Sequence, residues 1–178
     1  ESDFARVKMP HHALQALETL ALAYPKRHTF FGQELVALFQ LAQTQKLNIR
    51  HLKSSYAGAL GYPQFMPSNW LKYCQNYDGK GPCDLEHNLQ DAIASVGTYL
   101  QRAGWQRGAP IVQPNTQTSK AASTEHALVA FTPLEPNASL GSATHRLAVQ
   151  TQSGLLYYDT YRNFDAIMQY NNSALYAL

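Results

Sequence analysis

Apolar residues recur at helical spacing through the first half of the chain and alternate in strand fashion only near its end. Leu14, Leu17, Leu20, Ala21 and Tyr24 share one helical face. Pro25 closes that run, because its nitrogen has no hydrogen to donate and its ring clashes with the preceding turn. Phe31, Leu35, Leu38, Phe39 and Ala42 predict the buried stripe of a second helix, with Gln33, Glu34, Gln40 and Gln43 on the solvated side. The pattern fades at Lys46-Leu47-Asn48. A third helix is expected to start near Asn88, capped by the Asn88 side chain, with Asp91 reaching back three residues in the capping-box manner. Ala92, Val96, Leu100 and Ala103 face inward in that helix, and Gly104 ends it. Arg146 to Gln150 and Leu155 to Tyr158 flank Ser153-Gly154 and predict a β-hairpin. A last helix is expected from about Phe164 to Tyr170. The fold class that follows is α+β, mainly helical, with a small β-hairpin excursion.

Two stretches break the periodicity. Ser54-Ser55-Tyr56-Ala57-Gly58-Ala59-Leu60-Gly61-Tyr62-Pro63-Gln64-Phe65-Met66-Pro67-Ser68 sets small residues and polar atoms among aromatics, a composition suited to a cleft wall rather than to a plain core helix. From Gln106 to about Glu125 the chain turns to Gln, Thr, Ser, Asn and Pro, which predicts an extended surface excursion, and the region 106–160 as a whole reads as extended or β.

Composition narrows the function classes. The 178 residues carry 14 Lys+Arg against 12 Asp+Glu, for a net charge of +2, and only 15% are charged. That balance excludes a charge-dominated disordered chain and offers no basic stripe for nucleic acid. The length fits one ordinary domain. No apolar run approaches the roughly 18–20 residues needed to cross a bilayer. Cys74 and Cys83, nine positions apart, have neither the spacing of a redox pair nor the numbers for a zinc site. His11-His12 lack a third ligand at metal spacing, and neither a phosphate-cradling glycine loop nor a nucleophile elbow is present. Any acid or base must therefore come from the twelve carboxylates. Asp3, Glu18, Glu34, Glu125, Glu135 and Asp159 read as solvated, and Glu1, taken alone, reads as a frayed terminal residue.

The residues Ser54 to Asn69 resemble the signature of the lytic murein transglycosylase B family, glycoside hydrolase family 103, in which a Ser-aromatic-Ala-Gly-Ala-Met/Leu-Gly-Tyr-x-Gln-Phe-Met-Pro-Ser run lines the glycan cleft. The similarity extends through Tyr24-Pro25-Lys26-Arg27, Asp91 to Val96, Gly104-Trp105, Asn163-Phe164 and Tyr170 to Ala177, and is weakest from about Pro114 to Thr144. Carried back without a gap from Leu14, Ala16, Leu17, Thr19 and Leu20, it places Glu1-Ser2-Asp3-Phe4-Ala5-Arg6 on the family's Glu-Thr/Ser-x-aromatic-Gly-Arg motif. Glu1 then falls on the catalytic glutamate, and Ala5 departs from the usual glycine by one methyl.

This resemblance implies a lysozyme-like fold over residues 1–178, truncated at both ends. It also implies non-hydrolytic cleavage of the β-1,4 bond between N-acetylmuramic acid and N-acetylglucosamine. One carboxyl suffices for that chemistry, because the nucleophile is the C6 hydroxyl of muramic acid itself; ordinary glycosidases need two. By the same mapping Ser55 stands near Glu1. Gln64 and Asn171 bond sugar hydroxyls or acetamides, Tyr170 and Tyr176 present rings or hydroxyls to the glycan, and Lys26 and Arg27 meet the peptide stem. Tyr56, Tyr62, Phe65 and Met66 are the candidates for an apolar lining that raises the pKa of Glu1. The implied partners are peptidoglycan strands and other wall-remodelling proteins, with no nucleic acid. The implied location is the periplasm, with an outer-membrane lipoprotein anchor in the full-length protein. The alternative is a catalytically silent peptidoglycan-binding fragment. If Glu1 is the natural start, its free α-amino group would depress the carboxyl pKa and impair the acid step.

Residues 74–91 resemble the family's EF-hand-like calcium loop in degenerate form. Calcium takes oxygen ligands at alternate positions. Here the set is Asn76, Asp78, Lys80 and Asp91, and the Lys80 ammonium repels a cation, so no metal or other cofactor is expected. Cys74 and Cys83 bracket the same loop, and in an oxidising periplasm a disulfide closing it would stabilise the fold by roughly 2–3 kcal/mol. With Lys80 near Asp78, Asp84 or Asp91, that bridge is expected to stand in for the ion.

Overall fold

The computed structural model describes residues 9–119, 127–134, 143–151 and 154–178; the side chains of 116–119, 127–129 and 151 are left undescribed. The chain divides into two compact units between Thr98 and Tyr99.

The first unit opens with β1 (His11–His12) and α1 (Ala13–Ala23), which bears Ala13 and Leu17 on its buried side. A 3-10 turn, Pro25–Arg27, leads into α2 (His28–Gln45). β1 pairs antiparallel with β2 (Lys53–Ser54). The stripe of α2 differs from its sequence prediction. Phe31, Glu34, Ala37, Leu38 and Leu41 are buried, whereas Phe39 is 52% exposed. The period of α2 runs along the 31-34-38-41 row because a polar partner reaches Glu34, and this rotates Phe39 out to solvent.

That partner sits on α3 (Pro67–Tyr73), a short helix that apolar periodicity did not mark. Its Pro67 occupies the first turn, where a missing N–H costs nothing. Its Ser68 N–H donates to Glu34 Oε2 at 2.9 Å, and the Ser68 hydroxyl donates to Glu34 Oε1 at 2.6 Å. Glu34 thus caps a helix from across the unit in place of a local N-cap side chain.

Helix α4 (Leu89–Arg102) begins where the sequence predicts. Asn88 Oδ1 accepts the Gln90 and Asp91 N–H groups at 3.0 and 3.3 Å. The Asp91 carboxylate does not turn back to Asn88 as a capping box requires. It is buried and accepts two amides of the preceding loop instead, described below. Gly104, at φ +100, ends the helical run.

The second unit holds a four-stranded antiparallel sheet of β3 (Val112–Ser119), β4 (Ala127–Pro133), β5 (His145–Thr151) and β6 (Gly154–Thr160), in the order β3-β6-β5-β4. β5 and β6 are the hairpin predicted from alternation, with Ala148 opposite Tyr157; Ser153 of its turn lies outside the described residues. The stretch expected as a surface excursion supplies β3 as a sheet edge. Leu147, Val149 and Phe164 form a core with Ala174 and Ala177, flanked by Ile111, Tyr158 and Ile167. Phe164 belongs to α5 (Arg162–Tyr170), and the alanines belong to α6 (Ala174–Ala177).

Asn163 anchors this unit. Its wholly buried amide accepts the Gln106 N–H at 2.7 Å and donates to the Gln106 and Ala109 carbonyls at 2.8 and 2.9 Å. Removing one side of such a network leaves buried groups unpaired. Asn163→Ala is expected to destabilise the fold by about 2–3 kcal/mol, measured as a lowered urea midpoint at unchanged slope.

Candidate functional site

The loop from Ser54 to Ser68 is built by its own backbone. The Ser55 N–H donates to the Ala59 carbonyl at 2.9 Å, and the Gly58 N–H to the Ser55 carbonyl at 3.0 Å. Leu60 and Phe65 exchange both backbone hydrogen bonds, at 2.8 and 3.1 Å, which folds Gly61 to Gln64 into a tight excursion over buried Leu60 and Phe65. Two glycines make this path possible. A Cβ on Gly58, at φ +84, would overlap the Leu17 side chain, and one on Gly61, at φ +62, would overlap the Leu85 carbonyl. The Leu85 carbonyl also accepts the Tyr62 N–H at 2.8 Å. Gly61→Ala is therefore expected to cost about 2–3 kcal/mol, through left-handed strain and overpacking against backbone. Thermal unfolding of the variant measures that cost.

Ser55 is half-buried and caps its own loop. Its Oγ accepts the Ala57 and Ala59 amides at 3.3 and 3.1 Å. With its lone pairs so engaged, the hydroxyl proton is left to donate, and no acceptor for it occurs among the described residues. Gln64 adopts φ +54, a left-handed conformation that costs a non-glycine residue of order 1 kcal/mol. Its Nε2 donates to the Gly61 carbonyl at 2.9 Å and to Met9 Sδ at 3.4 Å, which fixes the amide and leaves Oε1 as an acceptor. The loop thus presents one oriented donor and one oriented acceptor. Tyr62 is half-buried, Tyr56 is 68% exposed, and Phe65 belongs to the core rather than to a lining.

In the second unit Tyr170 stacks edge-on against Tyr99 at 5.4 Å, and burial pushes its phenol pKa up to about 12. It stays neutral and able to donate at any ordinary pH. Asn171 closes α5, its N–H donating to the Ile167 carbonyl at 2.9 Å, and its side chain is exposed. Tyr176 is 59% exposed. Glu1, Phe4 and Arg6 lie outside the described residues.

The polar groups of the loop 74–91 are largely turned to its own backbone. Asp91 Oδ1 accepts the Tyr77 N–H at 2.8 Å, and Oδ2 accepts the Asp84 N–H at 2.9 Å. Asp78 Oδ1 accepts the Lys80 N–H at 2.9 Å. The Asn76 amide nitrogen donates to the Gly81 carbonyl, while Asn76 Oδ1 is buried with no partner. Asn76 Oδ1 and Asp78 Oδ2, the two side-chain oxygens of Asn76, Asp78, Asp84 and Asp91 that accept no hydrogen bond among the described residues, fall short of the roughly six to eight oxygens that calcium takes. No group of three or more His, Cys, Asp or Glu residues suited to a metal occurs among the described residues. Asp84 and Asp91 are engaged as acceptors through both oxygens and Asp78 through one, and with the Lys80 ammonium at a ligand position the residues do not fit the ion. Cys74 and Cys83 are joined by a disulfide, with Cα atoms 6.1 Å apart. The expected pairing of the Lys80 ammonium with Asp78, Asp84 or Asp91 does not form; Lys80 is held through its backbone N–H.

Sequence reasoning missed two positioning residues here, Glu34 and Ser95. Ser95 Oγ accepts the Gln75 N–H at 2.8 Å and donates to the Asp91 carbonyl at 2.6 Å. The available signal was a polar pair four apart, Asp91 and Ser95, on a helix face that also carries Ala92.

A family model described as the transglycosylase SLT domain matches residues 1–178 of this chain. The chain belongs to the transglycosylase SLT domain family. This SLT domain is 32% identical over 187 residues to membrane-bound lytic murein transglycosylase B of Escherichia coli (strain K12), covering 100% of the present chain and 51% of that protein. It therefore spans about half the length of the curated relative it matches. Among solved structures, Escherichia coli Slt35 in complex with bulgecin A matches with a TM-score of 0.81 at 32% identity, over 98% of the SLT domain and 58% of that chain. SltB3 from Pseudomonas aeruginosa in complex with NAG-NAM-pentapeptide matches with a TM-score of 0.71 at 26% identity, over 99% and 51%. The SLT domain accordingly has the lysozyme-like lytic transglycosylase fold, α+β in class and mainly helical. No helix among its described residues is long and apolar enough to cross a membrane.

Proposed function

We propose that this domain is a peptidoglycan lytic transglycosylase that cleaves the β-1,4 bond between N-acetylmuramic acid and N-acetylglucosamine without water. The observation that carries this reading is the family match over all 178 residues, which includes a loop presenting a Ser55 donor and a Gln64 acceptor. The relatives whose names specify murein transglycosylation or a bound glycan peptide support it.

In the proposed reaction the protonated Glu1 carboxyl donates to the glycosidic oxygen as the C1–O bond breaks, releasing the 4-hydroxyl of N-acetylglucosamine. The muramic C6 hydroxyl then attacks C1 of its own ring. Its proton passes to the Glu1 carboxylate, which restores the acid, and the product carries a 1,6-anhydro bridge. Ser55 serves as the hydroxyl that orients Glu1 or the acetamido group. Tyr56, Tyr62, Gln64, Tyr170, Asn171 and Tyr176 are the residues proposed to bind the glycan. An envelope location, in the periplasm or at the outer membrane, accords with the membrane-bound relative.

Digestion of purified murein followed by mass spectrometry tests the reading. The expected products are 1,6-anhydromuramoyl fragments. Reducing-end fragments would make the protein a hydrolase, and binding without products would make it a silent peptidoglycan-binding fragment.

A further inference from the structure

The Cys74–Cys83 disulfide lies two residues from the carbonyl that holds Tyr62, and the proposed reaction leaves this neighbourhood unused. We propose that the disulfide is a positioning element of the glycan loop. It does the work that an ion does in the calcium loop this segment resembles, so the placement of Tyr62 and Gln64 depends on thiol redox state and not on a divalent cation. The proposal rests on the assignment of the 54–68 loop to a glycan site.

The connections run in one direction. Cys74 terminates α3, its N–H donating to the carbonyl of Trp70, which is 1% exposed. Cys83 is bonded to it, and the next residue, Asp84, donates its N–H to Asp91 Oδ2 and accepts the Glu86 and His87 amides on Oδ1 at 2.8 and 3.0 Å. Leu85 follows, wholly buried, with its carbonyl on the Tyr62 N–H and packed against Gly61. A covalent bridge thus ties the C-terminal end of α3 to the turn that sets Tyr62.

The tip of the loop is little packed. Gly79 and Gly81 have positive φ, and a Cβ at either would meet nothing within 4 Å. Tyr77 is 69% exposed. Residues 77–82 are exposed and held by the hydrogen bonds of Asn76 and Asp91, so a cross-link adds order that packing does not supply. Asp91 is committed to two amides and Lys80 stands at a ligand position, which leaves the disulfide.

Both cysteines are half-buried, so a small dithiol reaches them. Its thiolate attacks one sulfur to form a mixed disulfide and releases the other cysteine. Its second thiol then closes the reagent into a cyclic disulfide and frees the remaining cysteine. The protein gains two electrons and two protons.

Amide hydrogen exchange on the 178-residue protein tests this, read at Tyr62 and, as a control in the second unit, at Gln106, whose N–H is held by Asn163. Reduction by dithiothreitol, and the Cys74→Ala/Cys83→Ala variant, are expected to speed exchange at Tyr62 roughly tenfold or more while Gln106 stays protected. The melting temperature is expected to fall by roughly 5–8 °C. Millimolar calcium or EDTA should change neither reading in the oxidised protein. Unchanged protection of Tyr62 on reduction overturns the proposal, and so does calcium restoring it in the reduced protein. Equal loss at Gln106 also overturns it, since the bridge would then hold the whole fold. Should Tyr62 lose protection on reduction while the oxidised protein releases no anhydromuramoyl product, the redox lock stands and the glycan reading falls.

Discussion

Glu1→Gln is expected to lower the rate of anhydromuramoyl product release by about a thousandfold or more, with the melting temperature unchanged. The amide keeps the size and hydrogen-bonding capacity of the carboxyl but can neither give a proton to the leaving oxygen nor take one from the C6 hydroxyl. General acid–base assistance contributes roughly 10²–10⁴-fold per role. In a one-carboxyl mechanism the same residue fills both roles, so no second group limits the loss. Product release from purified murein, quantified by mass spectrometry, gives the rate. An unchanged rate would place the acid elsewhere among the twelve carboxylates. Ser55→Ala makes the companion measurement: it removes the hydroxyl donor and, with it, the acceptor for the Ala57 and Ala59 amides, so a stability reading must accompany the rate.

Glu34→Ala is expected to have the largest effect on stability, about 3–5 kcal/mol, which corresponds to a fall of roughly 10–15 °C in melting temperature. The Glu34 carboxylate is 5% exposed and accepts both the N–H and the hydroxyl of Ser68. Truncation leaves the part-buried Ser68 N–H and hydroxyl without their acceptor and opens a void beside α3 where the buried Glu34 side chain stood. Glu34→Gln retains one acceptor oxygen and should recover about half of the loss. Because Ser68 is three residues from Phe65, whose backbone pairs with Leu60, loosening α3 is also expected to disturb the Gln64 conformation. Differential scanning calorimetry of the three proteins settles the order.

Much of the first unit was legible in the sequence, since helix-forming stripes and punctuation are local properties. Pro25 and Gly104 ended runs where they stand, and Asn88 capped α4. The β5–β6 hairpin followed from alternation around Gly154. Glu34 illustrates where local reading stops. Nothing within a few residues of it in sequence marks it as buried; the group that makes burial tolerable, Ser68, is 34 positions away. A carboxylate in a Gln-rich helix face is solvated by default, and only a partner brought by the fold reverses that. Phe39 is the same fact seen from the other side of the helix.

The loop 74–91 divides in a similar way. Its residue types alone showed that Lys80 spoils a calcium site and that two cysteines bracket it. They did not show that Asp91 spends both oxygens on the amides of Tyr77 and Asp84, nor that the neighbouring Leu85 carbonyl carries Tyr62. Those are contacts between segments whose separation in the chain leaves no periodic trace.

The sequence by itself determined the helical and strand segments, the ordered composition of the Ser54–Ser68 loop and the family to which that loop belongs, because each is encoded in neighbouring residues. Only the tertiary structure decided that Ser55 is left as a donor, that Gln64 is held in a left-handed conformation with a free acceptor, and that Glu34 is buried. Those properties depend on which polar groups a folded backbone has already satisfied, and that count closes only once distant segments meet.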